Sequence, residues 1–289
     1  MLRIFALPNR SMVFALSWLL FAVGAAFYLR TSHLRHIENP DDRIVPTVRQ
    51  LASGFWHAAM TPADDDTDAV ENAHATVVQQ FLNSMLWKDT RASGARFLLS
   101  LALLLPAVIL GLHMGAFPWI GGFFTRFILL FDKIIALSVL PILFIAFGIG
   151  QAAKIMLIVI GVAPTIILDT FNLTKSIPAE QVIKGFTLGA KDLAVTYRVM
   201  LPQIWPRVLN SIRLNLKAIA LFLFAGEMIA STDGLAYRIA LLQRHMGMDL
   251  ILPYVLWVAL LLFLVDAALR LLIRWMNPWF REIGFERPN

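Results

Sequence analysis

The chain has 289 residues, 58% of them hydrophobic and 15% charged, with a mean hydropathy of +0.70. Soluble domains carry about 25% charged residues, so a soluble fold is excluded and an all-α, polytopic integral membrane protein with an apolar lipid-facing surface is expected. The net charge of +6 fits basic residues gathered in cytoplasmic loops, with no nucleic-acid partner, and the absence of cysteine excludes disulfides and thiolate metal sites.

Residues 1–30 read as an N-terminal transmembrane helix. The apolar run Ser11 to Leu29 follows Arg3 and Arg10, and about 20 residues is spanning length, longer than the 7–15 of a signal-peptide core. Residues 31–88 form a periplasmic or interfacial segment. "NPDDRIVP" and the acidic loop 62–75, with Asp64, Asp65, Asp66, Asp68 and Glu71, cannot cross a bilayer. Within it, Val48, Leu51, Phe55 and Ala58 are spaced as one face of a short amphipathic helix.

Five further spans are expected near 92–112, 123–147, 152–172, 208–230 and 250–275, for about six in all. Counting from a cytoplasmic N-terminus puts the loop 175–206 in the cytoplasm. From Lys175 to Arg213 the basic residues Lys175, Lys184, Lys191, Arg198, Arg207 and Arg213 outnumber Glu180 and Asp192, as the positive-inside rule requires. The core is then 89–280, and 281–289 is a cytoplasmic tail.

The central loop has its own pattern. Ile177-Pro178 starts a helix, and Phe186, Ala190, Leu193, Tyr197 and Met200 recur as one helical stripe. Pro202 and Pro206 in "LPQIWP" are expected to break that helix. Composition alone leaves two readings open, a helix lying on lipid headgroups and a helix that docks on protein.

The segment resembles the E-A-A-x3-G-x9-I-x-L-P signature of ABC importer permeases, with Gly189, Val199 and Leu201-Pro202 in register. "MLWKDTRASGARFLLS", "LPILFIAFGIGQAAKIMLI", "GEMIASTDGLAYRI" and "DAALRLLIRWMNPW" resemble, in the same order, the subfamily importing nitrate, sulfonates, taurine or bicarbonate. The likeness covers residues 45 to 280. It implies a type I importer permease fold with a cytoplasmic coupling helix, placed in the bacterial inner membrane with both termini cytoplasmic. ATPase-coupling residues would be Ile183, Lys184, Gly185, Phe186, Gly189, Ala190, Leu193, Tyr197, Leu201 and Pro202.

The implied partners are two cytoplasmic ABC ATPases, a second permease copy in a homodimer, and a periplasmic or lipid-anchored substrate-binding protein. ATP and magnesium belong to the ATPases, and this chain is expected to bind no cofactor. Two departures stand out. Ile183-Lys184-Gly185 replaces Glu-Ala-Ala, which points to an unusual ATPase or a divergent paralogue. "FDKIIAL" (131–137) replaces a proline-rich stretch.

No enzyme is expected. "GFTLGAKD" lacks the spacing of a phosphate-binding loop, and neither H-E-x-x-H nor a nucleophile elbow is present. A stand-alone secondary transporter is the alternative, but it would need coupling-ion sites and inverted repeats that the sequence does not display. Ionisable residues within spans are functional candidates. Asp132 and Lys133 are expected deep in span three, and with Glu227 near the outer end of span five they are candidates for the pathway or gate. His113 and Arg126 are expected to snorkel, Asp169 to cap a helix or bond another, and Asp266 with Arg270 to form an ion pair.

Overall fold

The computed structural model describes residues 10–38, 44–61, 77–244 and 247–279. The acidic loop 62–75 lies outside these residues, as does the tail 281–289. Among the described residues every regular element is helical. Among them four helical stretches are long and apolar enough to cross a membrane, and two bent pairs bring the number to the expected six if each pair is one span.

α1 (Arg10–Glu38) runs well past the expected end at Leu29 and keeps its apolar side chains exposed, Phe21 and Phe27 among them. It meets the rest of the chain through polar groups: Tyr28 Oη donates to the Pro46 carbonyl at 2.7 Å, and Ser32 Oγ bonds the carbonyl of Val45 at 3.2 Å. α2 (Val48–Met60) is the expected amphipathic helix. Thr47 caps its N-terminus reciprocally with Gln50. Ala58 and Ala59 are buried and Val48 is exposed, so the buried face is rotated slightly from the stripe read off the sequence.

A short α3 (Val77–Leu82) leads into the second span, built from α4 (Met85–Leu103) and α5 (Leu105–Ala116). The third span is not one helix. α6 (Pro118–Asp132) and α7 (Ala136–Phe147) meet at 96°. Asp132 and Lys133 therefore stand at a corner and not deep in a continuous helix. Lys133 is exposed and pairs with Asp132 at 3.2 Å, while Asp132 also accepts from Thr165 at 3.2 Å.

α8 (Gln151–Lys175) is the central helix. It buries Leu157, Ile158, Val162, Ile166, Ile167 and Phe171 against its neighbours. α5 comes closest, because Gly111 and Gly115 have no side chain to hold it off. A Cβ at Gly111 would sit 2.5 Å from the Ile167 carbonyl oxygen, and one at Gly115 would sit 2.4 Å from Thr174 Cβ. Lipid offers as good an apolar environment as protein, so close contact between small residues is what holds membrane helices together.

The loop expected to hold one striped helix holds two short ones, α9 (Ala179–Thr187) and α10 (Asp192–Val195). Gly189, at φ +81°, ends α9. Its N–H donates to Phe186 O at 2.9 Å and that of Ala190 to Gly185 O at 3.2 Å, a glycine C-cap that satisfies the last carbonyls. Phe186 and Leu193 thus belong to different helices, and their regular spacing crosses a turn.

The prolines do not break the chain either. α10 passes through a π-helical stretch, Thr196–Met200, straight into α11 (Leu201–Leu214). The wider turn accommodates Pro202, which lacks an N–H and crowds the carbonyl four residues back. α12 (Leu216–Ala230) follows after a 43° bend at Asn215. α13 (Leu235–Arg244) and the long α14 (Met248–Met276) complete the fold.

Candidate functional site

Two regions at opposite ends of the bundle concentrate the unusual chemistry. The first surrounds the turn 231–234 between α12 and α13. The N-terminal N–H groups of α13 are capped by side chains from other helices. Gly234 N donates to Asp89 Oδ1 at 3.0 Å, Leu235 N to Ser93 Oγ at 2.9 Å, and Ala236 N to Glu227 Oε2 at 3.1 Å. Asp89, Ser93 and Arg96 are spaced i, i+4, i+7, which sets them along one face of α4.

Glu227 is fully enclosed at 0% exposure. Its carboxylate accepts from Ser93 Oγ at 2.8 Å and pairs with Arg96 at 2.6 Å. Arg96 also bonds the Asp233 carboxylate, the Asp233 carbonyl at 3.1 Å and Gln151 at the start of α8. Arg238 closes the network on Asp89 at 2.8 Å. Gly234, at φ +115°, lets the turn press on this site, since a Cβ there would lie 2.7 Å from the Glu227 carboxylate.

Glu227 is thus a tie between α4, α12 and α13, enclosed by its partners and not turned toward open space. Beside it, Lys154 of α8 is 3% exposed and donates to Ser231 Oγ at 2.9 Å. The sequence reading missed Asp89, Ser93, Arg96, Lys154, Asp233 and Arg238. The i, i+4, i+7 polar file on α4 was the signal available for three of them.

The second region is the 183–202 surface. Ile183, Phe186, Leu188, Leu193 and Tyr197 are all exposed there, Leu188 at 81%. Ala190, Leu201 and Pro202 lie along the same path. Gly185 has a packing reason, since a Cβ there would meet Val195 Cγ2 at 3.2 Å. Glycine at that position lets α9 rest on buried Val195, and Lys184 beside it is exposed. Tyr197 Oη lies 3.2 Å from His113 Nε2, joining this surface to the end of α5. Arg126 is exposed.

Two of the expected polar contacts lie elsewhere, on α14 and between α8 and α11. Asp266 and Arg270 form the ion pair, which Arg213 joins at 3.5 Å. Asp169 is an interhelical partner, accepting from Ser211 of α11.

Residues 107–282 match the family described as "binding-protein-dependent transport system inner membrane component". The taurine transport system permease protein TauC of Escherichia coli is 31% identical, over 71% of this chain and 75% of that protein. The aliphatic sulfonates transport permease protein SsuC of the same organism is 26% identical, over 50% of this chain and 54% of that one. A solved chain of the MetNI methionine ABC transporter superposes with a TM-score of 0.53 at 18% identity, covering 65% of this chain and 93% of that chain, a likeness of fold.

Proposed function

Because the chain belongs to the binding-protein-dependent transport inner membrane components, the permeases of ABC transporters, we propose that it forms the membrane pathway of an ATP-driven importer for small sulfonates. The relatives that transport taurine and aliphatic sulfonates support that solute class. Two copies would form the pathway in the bacterial inner membrane, with both termini cytoplasmic. A binding protein would deliver the solute, and two ATPases would supply the work.

The observation that carries the coupling role is the apolar surface of α9, the turn after it, and α10. Ile183, Phe186, Leu188 and Leu193 are exposed on segments too polar to be a span. Such a patch on a loop is suited to a groove on another protein, with Lys184, Lys191 and Arg198 at its rim. Ile183-Lys184-Gly185 is then not a defect in folding. Gly185 seats α9 on Val195, and Ile183 (59% exposed) adds apolar surface where the family has glutamate.

The test is reconstitution of the chain with an ATPase and a binding protein encoded beside its gene. Uptake of labelled taurine into proteoliposomes should require all three and ATP. Uptake by the permease alone would establish a secondary transporter instead. Ile183→Asp with Leu193→Asp should abolish ATPase co-purification while the permease still elutes as a single folded species. Unchanged co-purification would remove the docking assignment.

A further inference from the structure

We propose that the cavity beside Lys154 receives the anionic head of the transported solute, a sulfonate-class oxyanion. This rests on the sulfonate reading above and adds a place for the solute. The cavity, of about 290 Å³, is lined by Gly150, Gln151, Lys154, Ser231 and Thr232, with Ile149 and Ala230 supplying apolar wall. That volume suits a solute of a few heavy atoms, below the range of drug-sized pockets.

Three observations converge on an anion. First, Lys154 is 3% exposed, yet its ammonium donates to a hydroxyl, that of Ser231. A buried lysine is ordinarily paired with a carboxylate, and among the described residues none lies within ion-pair distance of it. An ammonium has three donors, and Ser231 takes one. Second, α8 begins at the cavity wall. Gly150 is its N-cap and supplies no side-chain bond, so the positive end of a 25-residue helix lies at the wall with no side chain capping it. Third, Gln151 and Thr232 add polar side chains at the same wall.

The surrounding charges support the assignment. The cluster is formally neutral: Arg96 and Lys154 stand against Glu227 and Asp233, and Arg238 against Asp89. The acids, however, are tied up on Arg96 and Arg238 and do not line the cavity. An anion entering it therefore meets Lys154 and the start of α8 first. Its arrival would draw the ammonium from Ser231, whose hydroxyl also donates to the Asp233 carbonyl at 2.6 Å. Solute capture and the 231–234 turn thus share a hydrogen bond.

The test uses the full complex of permease, ATPases and binding protein in phosphatidylcholine vesicles, where no anionic headgroup competes. Labelled taurine moved per ATP hydrolysed is compared for wild type, Lys154→Gln and Lys154→Arg. The loss of one charge-assisted contact should lower the ratio about tenfold in Lys154→Gln, with most of it restored in Lys154→Arg. ATP turnover stimulated by the binding protein should persist, and vesicles without ATP should not leak taurine.

A wild-type ratio in Lys154→Gln would overturn the proposal. So would a loss matched by ATP-independent leak, which would make Lys154 only a pin for the turn. If Lys154→Gln fails to assemble, exposed Thr232 decides. Thr232→Asp should carry about fivefold less than Thr232→Asn through added repulsion, and equal uptake would overturn the assignment. Wild type that moves no sulfonate would defeat the sulfonate reading itself. Normal wild-type uptake with an indifferent Lys154→Gln would defeat the cavity alone.

Discussion

Replacing Arg96 by Met tests whether the turn 231–234 is held by charge. Arg96 is 3% exposed and its partner Glu227 is fully enclosed. Met fills most of the aliphatic volume and removes the cation. The Glu227 carboxylate then keeps only Ser93 Oγ and the Ala236 N–H as donors. An uncompensated buried charge of this kind costs about 3–5 kcal/mol. Glu227→Gln alone removes the charge and retains an acceptor for both donors, so about 1.5–3 kcal/mol is expected from the lost charge-assisted bond. The double variant has no stranded charge and should be little worse than the milder single. The cycle therefore predicts a coupling of about 3 kcal/mol or more, at or above the upper end for residues in one network. Titration with sodium dodecyl sulfate in mixed micelles, followed by near-ultraviolet circular dichroism, measures all four proteins. If Arg96→Met lies within about 1 kcal/mol of wild type, or the two changes simply add, Glu227 is not held by Arg96.

Four glycine substitutions test the backbone geometry by the same titration. Gly234→Ala forces a side chain into a left-handed position and against the Glu227 carboxylate, and should cost about 3 kcal/mol or more. Gly111→Leu pushes α5 off the Ile167 carbonyl and should cost about 3 kcal/mol, whereas Gly24→Leu, with nothing within 4 Å, should stay within about 0.5 kcal/mol. Gly189→Ala strains the C-cap of α9 at φ +81°, should lower ATPase co-purification, and should shift global stability by only about 1 kcal/mol.

The spans were legible because runs of apolar residues of spanning length have few other uses. Their interruptions were not. From Phe123 to Phe147 the sequence is apolar on both sides of Lys133, and composition carries no mark of a 96° corner. The stripe from Phe186 to Met200 fitted a helix by coincidence, since Gly189 resets the chain midway and only its φ reveals this. Pro202 was legible as a perturbation, but its outcome depended on whether the preceding turn could widen, and Thr196–Met200 does. Gly189 and Leu201-Pro202 stand out within one short loop. The network around Glu227 does not, because Arg96 and Glu227 are 131 residues apart and Ser93 and Glu227 134 apart. Each member taken singly looks like a polar residue near a helix end.

The same packing bears on how the two ends communicate under the proposed importer cycle. Leu193 and Glu227 belong to one nearly continuous helical path, from Asp192 through the π stretch and Asn215 to Ala230. That path has two weak points in its backbone ladder, and each is pinned beside it. Tyr197, within the π stretch, meets His113. Ser211, one turn before Asn215, holds Asp169 of α8, and Asn215 Nδ2 donates back to the Ser211 carbonyl at 2.9 Å. The interrupted ladder makes those two places the natural hinges, braced by these contacts, while α12 beyond them is packed through Leu216, Ile219 and Leu223 into the core. Under that cycle a push at the proposed docking surface would reach the network as rotation of α12 about Asn215, and the end of α12 carries Glu227. Glu227 could not swing with α12 unless Arg96 followed or let go, so in such a cycle the buried pair would resist movement of the turn 231–234. That is a reason for a chain to keep a costly buried charge pair where an apolar contact would be as stable.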